Sequence, residues 1–112
     1  MILVQWSCEI PQEKIESFLK FAEENLKPFY KSYGCKRYEL FFPIIIEKKF
    51  FPYQISEKKN RYIEQLIFKN IKHFEKFYDS IEKNKTAQEM VGIYVKEFGI
   101  SACNFKILKQ DV

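Results

Sequence analysis

Tyr33-Gly34-Cys35-Lys36-Arg37-Tyr38-Glu39-Leu40-Phe41-Phe42 is a glycine stop followed at once by a strand, and the rest of the chain is ordered around it. Gly34 is placed to end a helix in a left-handed cap. Beyond it, Tyr38, Leu40 and Phe42 alternate with Arg37, Glu39 and Phe41, the period of two of a half-buried strand. The strand is predicted over 37–44. Pro43 cannot donate to a ladder, so this is an edge strand or the end of one.

Upstream, Ile2, Val4, Trp6, Cys8 and Ile10 alternate with Leu3, Gln5, Ser7 and Glu9, which predicts a first strand with one apolar face. Pro11 suits the first position of a helix. Ile15, Phe18, Leu19, Ala22, Leu26, Phe29 and Tyr33 then recur at helical spacing over 11–33. Pro28 lacks a backbone donor and predicts a kink or break near Asn25.

Downstream, 45–60 reads as a long hairpin insertion, with a short extra strand around 53–56. A third strand follows at 61–68. Asn70 is a good N-cap for a helix carrying Ile71, Phe74, Phe77, Tyr78 and Ile81. Asn84-Lys85 interrupts that helix, and Thr86-Ala87-Gln88-Glu89 reads as a capping box opening another, stopped by Gly99. A last strand is predicted over 102–108. The order β-α-β-β-α-β over residues 1–112 specifies a single α+β domain, a ferredoxin-like sandwich with strand order 4-1-3-2.

Composition agrees with one small packed domain: 112 residues, 46% hydrophobic and 18% aromatic. The 30% of charged residues, mostly Lys and Glu, match a thermophile tendency. Basic and acidic residues are interspersed and the net charge is only +4, which argues against a broad polyanion-binding surface. Three cysteines without CxxC or CxxH spacing argue against a metal knuckle, and their odd number suits a reducing cytoplasm. The N-terminus lacks a basic leader, and no apolar run is long enough for a bilayer. The expectation is a soluble cytoplasmic protein.

Both helices must cover one side of the sheet, with Val4, Trp6, Cys8, Cys103, Phe105 and Ile107 beneath them. The other side then shows Gln5, Ser7, Glu39, Phe41, Asn104 and Lys106. The parity of the third strand is ambiguous, and we place Tyr62, Glu64 and Leu66 on that open side. A face of this mixed character is expected to pair two sheets around a partly polar cavity in a homodimer, with further assembly left open. Its ligand-binding set would be Gln5, Ser7, Glu39, Phe41, Glu64, Asn104 and Lys106. Glu39, Glu64 and Lys106 are candidates for a buried acid–base set or an interface ion-pair network.

Gln5, Ser7 and Asn104 could orient a ligand carbonyl or satisfy one another. His73, the lone histidine, is a weaker catalytic candidate beside Lys72 and Lys76 on a solvated face. Cys8 and Cys103 meet where strands one and four pair; two small buried hydrophobes is the favoured reading over a redox pair. Phe50, Phe51 and Tyr53 are expected to dock on a partner subunit rather than to act as a lid or to stack on bases. The β-α-β-β-α-β order also belongs to RNA-recognition motifs, but their basic-Gly-aromatic signature is missing from 61–68, which argues against nucleic acid.

The run from Gly34 to Leu40, a strand ending Leu66-Ile67-Phe68-Lys69-Asn70, and a helix bearing Phe74 and Tyr78 resemble the antibiotic-biosynthesis monooxygenase-like (ABM) domains of the dimeric α+β barrel group. The resemblance implies a homodimer and a cavity for an apolar, aromatic small molecule. It also implies, if the chain is an enzyme, a monooxygenase-like activity with no cofactor. No residue here matches the Asn, Trp and helix His of the haem-degrading branch. A non-catalytic homodimer that senses a ligand, or works by assembly alone, is the alternative.

Overall fold

In a computed structural model, residues 1–44 and 59–112 are described. The strands are β1 (Ile2–Glu9), β2 (Arg37–Phe41), β3 (Arg61–Phe68) and β4 (Ser101–Lys109). They form a four-stranded sheet in the order β2-β3-β1-β4, every neighbour antiparallel. The expected order and the bounds of the third strand are borne out. The expected insertion falls almost wholly on 45–58, outside the described residues, and with it Phe50, Phe51 and Tyr53.

The first helical region has a wider turn in its middle. A 3-10 turn (Gln12–Lys14) leads into α1 (Ile15–Phe21), a π-helical turn (Ala22–Leu26) and α2 (Lys27–Ser32). Lys27 N–H bonds to the Ala22 carbonyl, five residues back rather than four. The extra residue lies just before Pro28, whose ring crowds the preceding turn and which has no N–H to return. The break is therefore accommodated inside a continuing helix. Gly34, at φ 98°, closes it: Cys35 N–H bonds to the Tyr30 carbonyl at 3.2 Å and Gly34 N–H to that of Lys31 at 3.1 Å. These are the paired bonds of a Schellman cap.

The second helical region is α3 (Ile71–Glu82) and α4 (Lys85–Phe98). Asn70 caps α3 as expected, its side chain accepting from His73 N–H at 3.0 Å. The start of α4 differs from the capping-box reading. Asn84 is its N-cap, accepting from Ala87 N–H at 3.1 Å while its amide donates to the Tyr33 hydroxyl at 2.8 Å. That second bond ties the inter-helix turn to the end of α2, which a capping box at Thr86 would not do.

Phe18, Leu26, Tyr30, Phe74, Phe77, Tyr94 and Phe98 pack from the helices onto Val4, Cys8, Tyr38, Tyr62, Leu66 and Phe68 of the sheet. Strand β4 lies outside this cover. Phe105 and Ile107 share the helix-side face with Trp6 and Val4 by register, yet stay 50% and 46% exposed. Their expected burial is corrected: an edge strand reaches beyond the helices that cover this side of the sheet. Among the described residues no helix is long and apolar enough to cross a membrane.

Gly99 ends α4 at φ 63°, and a Cβ there would stand 3.3 Å from the Pro11 ring. Gly99→Ala combines left-handed strain with this contact and should destabilise the fold by about 1–2 kcal/mol, read as a lowered urea midpoint at unchanged slope.

Candidate functional site

Strand β3 decides where the chemistry lies. Its burial alternates without a break: Tyr62, Glu64, Leu66 and Phe68 are buried, and Arg61, Ile63, Gln65 and Ile67 only partly so. The even set therefore faces the helices, opposite to the expected parity, and Glu64 is part of the core at 2% exposure. Register gives the reason. Gln65 pairs with Gln5 on one side and Glu39 on the other, and Gln5 pairs with Lys106, so the polar side chains of all four strands form one row on the open face. Placing Glu64 there would have sent Gln65 under the helices.

Glu64 is the buried charged group among the described residues. Tyr38 Oη donates to its Oε2 at 2.5 Å. Loss of hydration pushes the carboxyl up to about 7, although the Tyr38 bond favours the charged form. Burial and the neighbouring Glu64 charge push Tyr38 and Tyr94 far above the ordinary phenol range. Burial raises Tyr30 and Tyr62 as well. The Tyr62 and Tyr94 hydroxyls share a hydrogen bond. These phenols therefore stay protonated, and the carboxyl is the group here that changes charge near neutrality.

Beside Glu64 lies a cavity of about 360 Å³ between the sheet and helices α2, α3 and α4. Trp6, Cys8 and Cys103 line its sheet side, and Tyr30, Phe77, Tyr78, Ile81, Val91, Tyr94, Val95 and Ile100 complete it. Tyr78, Val91 and Val95 are exposed as well, so the mouth is apolar. The Glu64 carboxyl is thus the ionisable acid in an otherwise mainly apolar lining. Cys8 and Cys103 are joined by a disulfide, which corrects the reading of two packed thiols. They meet across β1 and β4 where the pairing shifts register between Ser7 and Glu9, with a Cα–Cα distance of 4.2 Å.

The other expected site residues lie elsewhere. Gln5, Ser7, Glu39, Phe41, Asn104 and Lys106 do share the open face. Gln5 donates to the Gln65 side chain at 3.1 Å, and Glu39 pairs with Arg37 at 2.9 Å. Arg61 donates to Ser7 Oγ at 3.0 Å and to the Ser7 and Ala102 carbonyls, bridging β3, β1 and β4. Ser7 is thus held by Arg61. Glu39 and Lys106 stand on opposite edge strands, roughly 14 Å apart at the usual strand spacing, and Glu64 lies on the other side of the sheet. The three do not form one acid–base set. His73 is exposed on α3, its ring nitrogen 2.8 Å from the Asn70 side chain, away from the cavity. Among the described residues no group of three His, Cys, Asp or Glu could hold a metal ion.

No family model matches the sequence, and no curated protein does. Solved structures do match. The fold is similar to a protein assigned as an antibiotic biosynthesis monooxygenase from Deinococcus radiodurans, with TM-score 0.68 and 6% identity over 100% of this chain and 94% of that one. It is similar to a dimeric ferredoxin-like protein from an uncultured marine organism, with TM-score 0.66 and 14% identity over 100% and 96%. It is also similar to a variant of SnoaB, a cofactor-independent oxygenase from Streptomyces nogalater, with TM-score 0.65 and 11% identity over 99% and 93%. Proteins of the NIPSNAP name share the fold too. The fold is therefore ferredoxin-like α+β, of the kind found in ABM-like proteins.

Because Glu64 is held near 7 in the folded chain against 4.5 as its ordinary value, folding favours the protonated acid. That contribution is fully present below about pH 4.5 and is lost as pH rises through about 7, a swing on the order of 3 kcal/mol. Glu64→Gln should flatten this part of the stability curve and be the more stable protein at pH 8. Urea titrations of both proteins across pH 5–8 check it.

Proposed function

We propose that this chain binds an apolar, aromatic small molecule in the cavity between sheet and helices, and exchanges a proton with it at Glu64. The observation that carries the reading is the buried carboxyl of Glu64 in a mainly apolar cavity of about 360 Å³. That volume lies within the usual range for small-molecule sites, about 300–1,000 Å³. A carboxyl pushed up to about 7 is well matched to taking or giving a proton at neutral pH. The aromatic walls from Trp6, Phe77 and Tyr94 suit a flat ring.

If the ligand carries an acidic O–H or C–H, transfer of that proton to Glu64 leaves an electron-rich anion. Such an anion can react with dioxygen without metal or flavin, the class of chemistry that the name of the similar SnoaB describes. We further propose that the open face, with Gln5, Ser7, Glu39, Phe41, Asn104 and Lys106, is the surface through which two copies pair. The half-exposed Phe41 and the dimeric ferredoxin-like neighbour support that part.

Calorimetric titration with a hydroxynaphthoquinone, run in two buffers of different ionisation enthalpy, tests the cavity. Wild type should bind it and exchange a proton. Glu64→Gln should still bind but lose the proton exchange. Val95→Trp, which fills the mouth, should weaken binding by roughly tenfold or more, or about 1.4 kcal/mol. Binding unaffected by Val95→Trp would move the ligand out of this cavity. For the open face, Phe41→Arg should weaken self-association in sedimentation while leaving cavity binding within a few-fold. A dimer of undiminished strength would remove that surface.

A further inference from the structure

The Cys8–Cys103 bond joins the floor of the cavity to the edge of the sheet. Its two ends are unlike. Cys8 is 2% exposed, whereas Cys103 belongs to a strand that is exposed along its whole length. The bond also sits where the β1–β4 pairing shifts register between Ser7 and Glu9, with Ala102 at φ 50° just before Cys103. Cys103 is therefore the end of the bond that an incoming thiolate reaches from solvent, and Cys8 lies buried against the apolar cavity.

We propose that Cys8–Cys103 is an exchangeable disulfide that takes a small external thiol at Cys103 and releases the Cys8 thiol into the cavity. This goes beyond ligand binding and does not depend on it. An external thiolate attacks Cys103 Sγ; a new sulfur–sulfur bond forms there, the Cys8–Cys103 bond breaks, and its electron pair leaves on Cys8 Sγ. Cys8 then takes a proton, from water or from Glu64 in the same cavity wall. A second external thiolate attacks the outer sulfur of the mixed disulfide and leaves Cys103 as a thiolate, which is protonated by water. Two small thiols become one small disulfide, and Cys8 and Cys103 become thiols; a small disulfide drives the reverse.

Access decides which sulfur is attacked. The third cysteine is no competitor. Cys35 is 5% exposed, its sulfur lies 3.0 Å from the Arg37 carbonyl, and burial pushes its thiol up, away from the reactive thiolate.

The test equilibrates the folded full chain in glutathione redox buffers, quenches by alkylation, and maps adducts by mass. Reversible opening in millimolar reduced glutathione is expected without denaturant, with the glutathione adduct on Cys103 and Cys35 unmodified. Trp6, the chain's single tryptophan and a cavity neighbour of the bond, should brighten as the quenching disulfide opens. Cys8→Ser should trap a mixed disulfide at Cys103 with oxidised glutathione, and Cys103→Ser should lose it. Adduct mapping on wild type stands in if either variant fails to fold. A bond that opens only in denaturant, adducts centred on Cys8 or Cys35, or thiols that never pair in oxidised glutathione would each overturn the proposal.

Discussion

The hydrogen bond from Tyr38 to Glu64 is the constraint on which the interior depends. A carboxyl taken out of water must be neutralised, paired or hydrogen-bonded. Here it meets a phenol from the neighbouring strand at a position fixed by the β2–β3 register, in which Tyr38 faces Leu66 and Leu40 faces Glu64. A slip of one residue would put Gln65 and Ile63 beneath the helices and expose Phe68 and Tyr62. The polar row of Glu39, Gln65, Gln5 and Lys106 on the opposite face resists the same slip. One register thus sets both the position of the acid and the character of the open face.

The cavity follows from the same geometry. The sheet is four strands wide, and β4 extends past the helical cover. Helices α3 and α4, joined through Asn84 and tied by it to Tyr33, sit over β1 and β3 and leave a gap beside Trp6 and Glu64. Aromatic side chains wall the gap more than they fill it, as Tyr94 is held by Tyr62 and Tyr30 stacks on Tyr38. The Tyr62–Tyr94 hydroxyl bond and the Tyr30–Tyr38 stack hold these rings at the edge of the space, so an apolar pocket persists beside an ionisable acid.

Local chemistry made most of the fold legible in the sequence. Gly34 and Gly99 are stops because left-handed backbone favours glycine, and both adopt positive φ. Pro28 announces its disturbance through a missing donor, and Asn70 its cap through a short side-chain acceptor. The site was less legible. Both faces of β3 carry apolar residues, Tyr62, Leu66 and Phe68 against Ile63 and Ile67, so alternation alone leaves Glu64 on either side. The signal that decides it is the lateral match of Gln65 with Gln5 and Glu39, which appears only once the register is known. The same holds for Cys8 and Cys103, 95 residues apart in sequence and adjacent only through strand pairing. Thr86 fits the local capping pattern better than Asn84, whose second partner, Tyr33, is distant in sequence.

The most direct measurement is a carbon-13 carboxyl titration of the folded protein by nuclear magnetic resonance, with Glu64→Gln used to assign the signal. Glu64 is expected to titrate near pH 7, above the ordinary carboxylate value of 4.5, and to shift when an aromatic ligand fills the cavity. A Glu64 signal that titrates with the ordinary carboxylates near 4.5 would contradict it, because it would place the acid in water and remove the proton-exchanging group from the cavity.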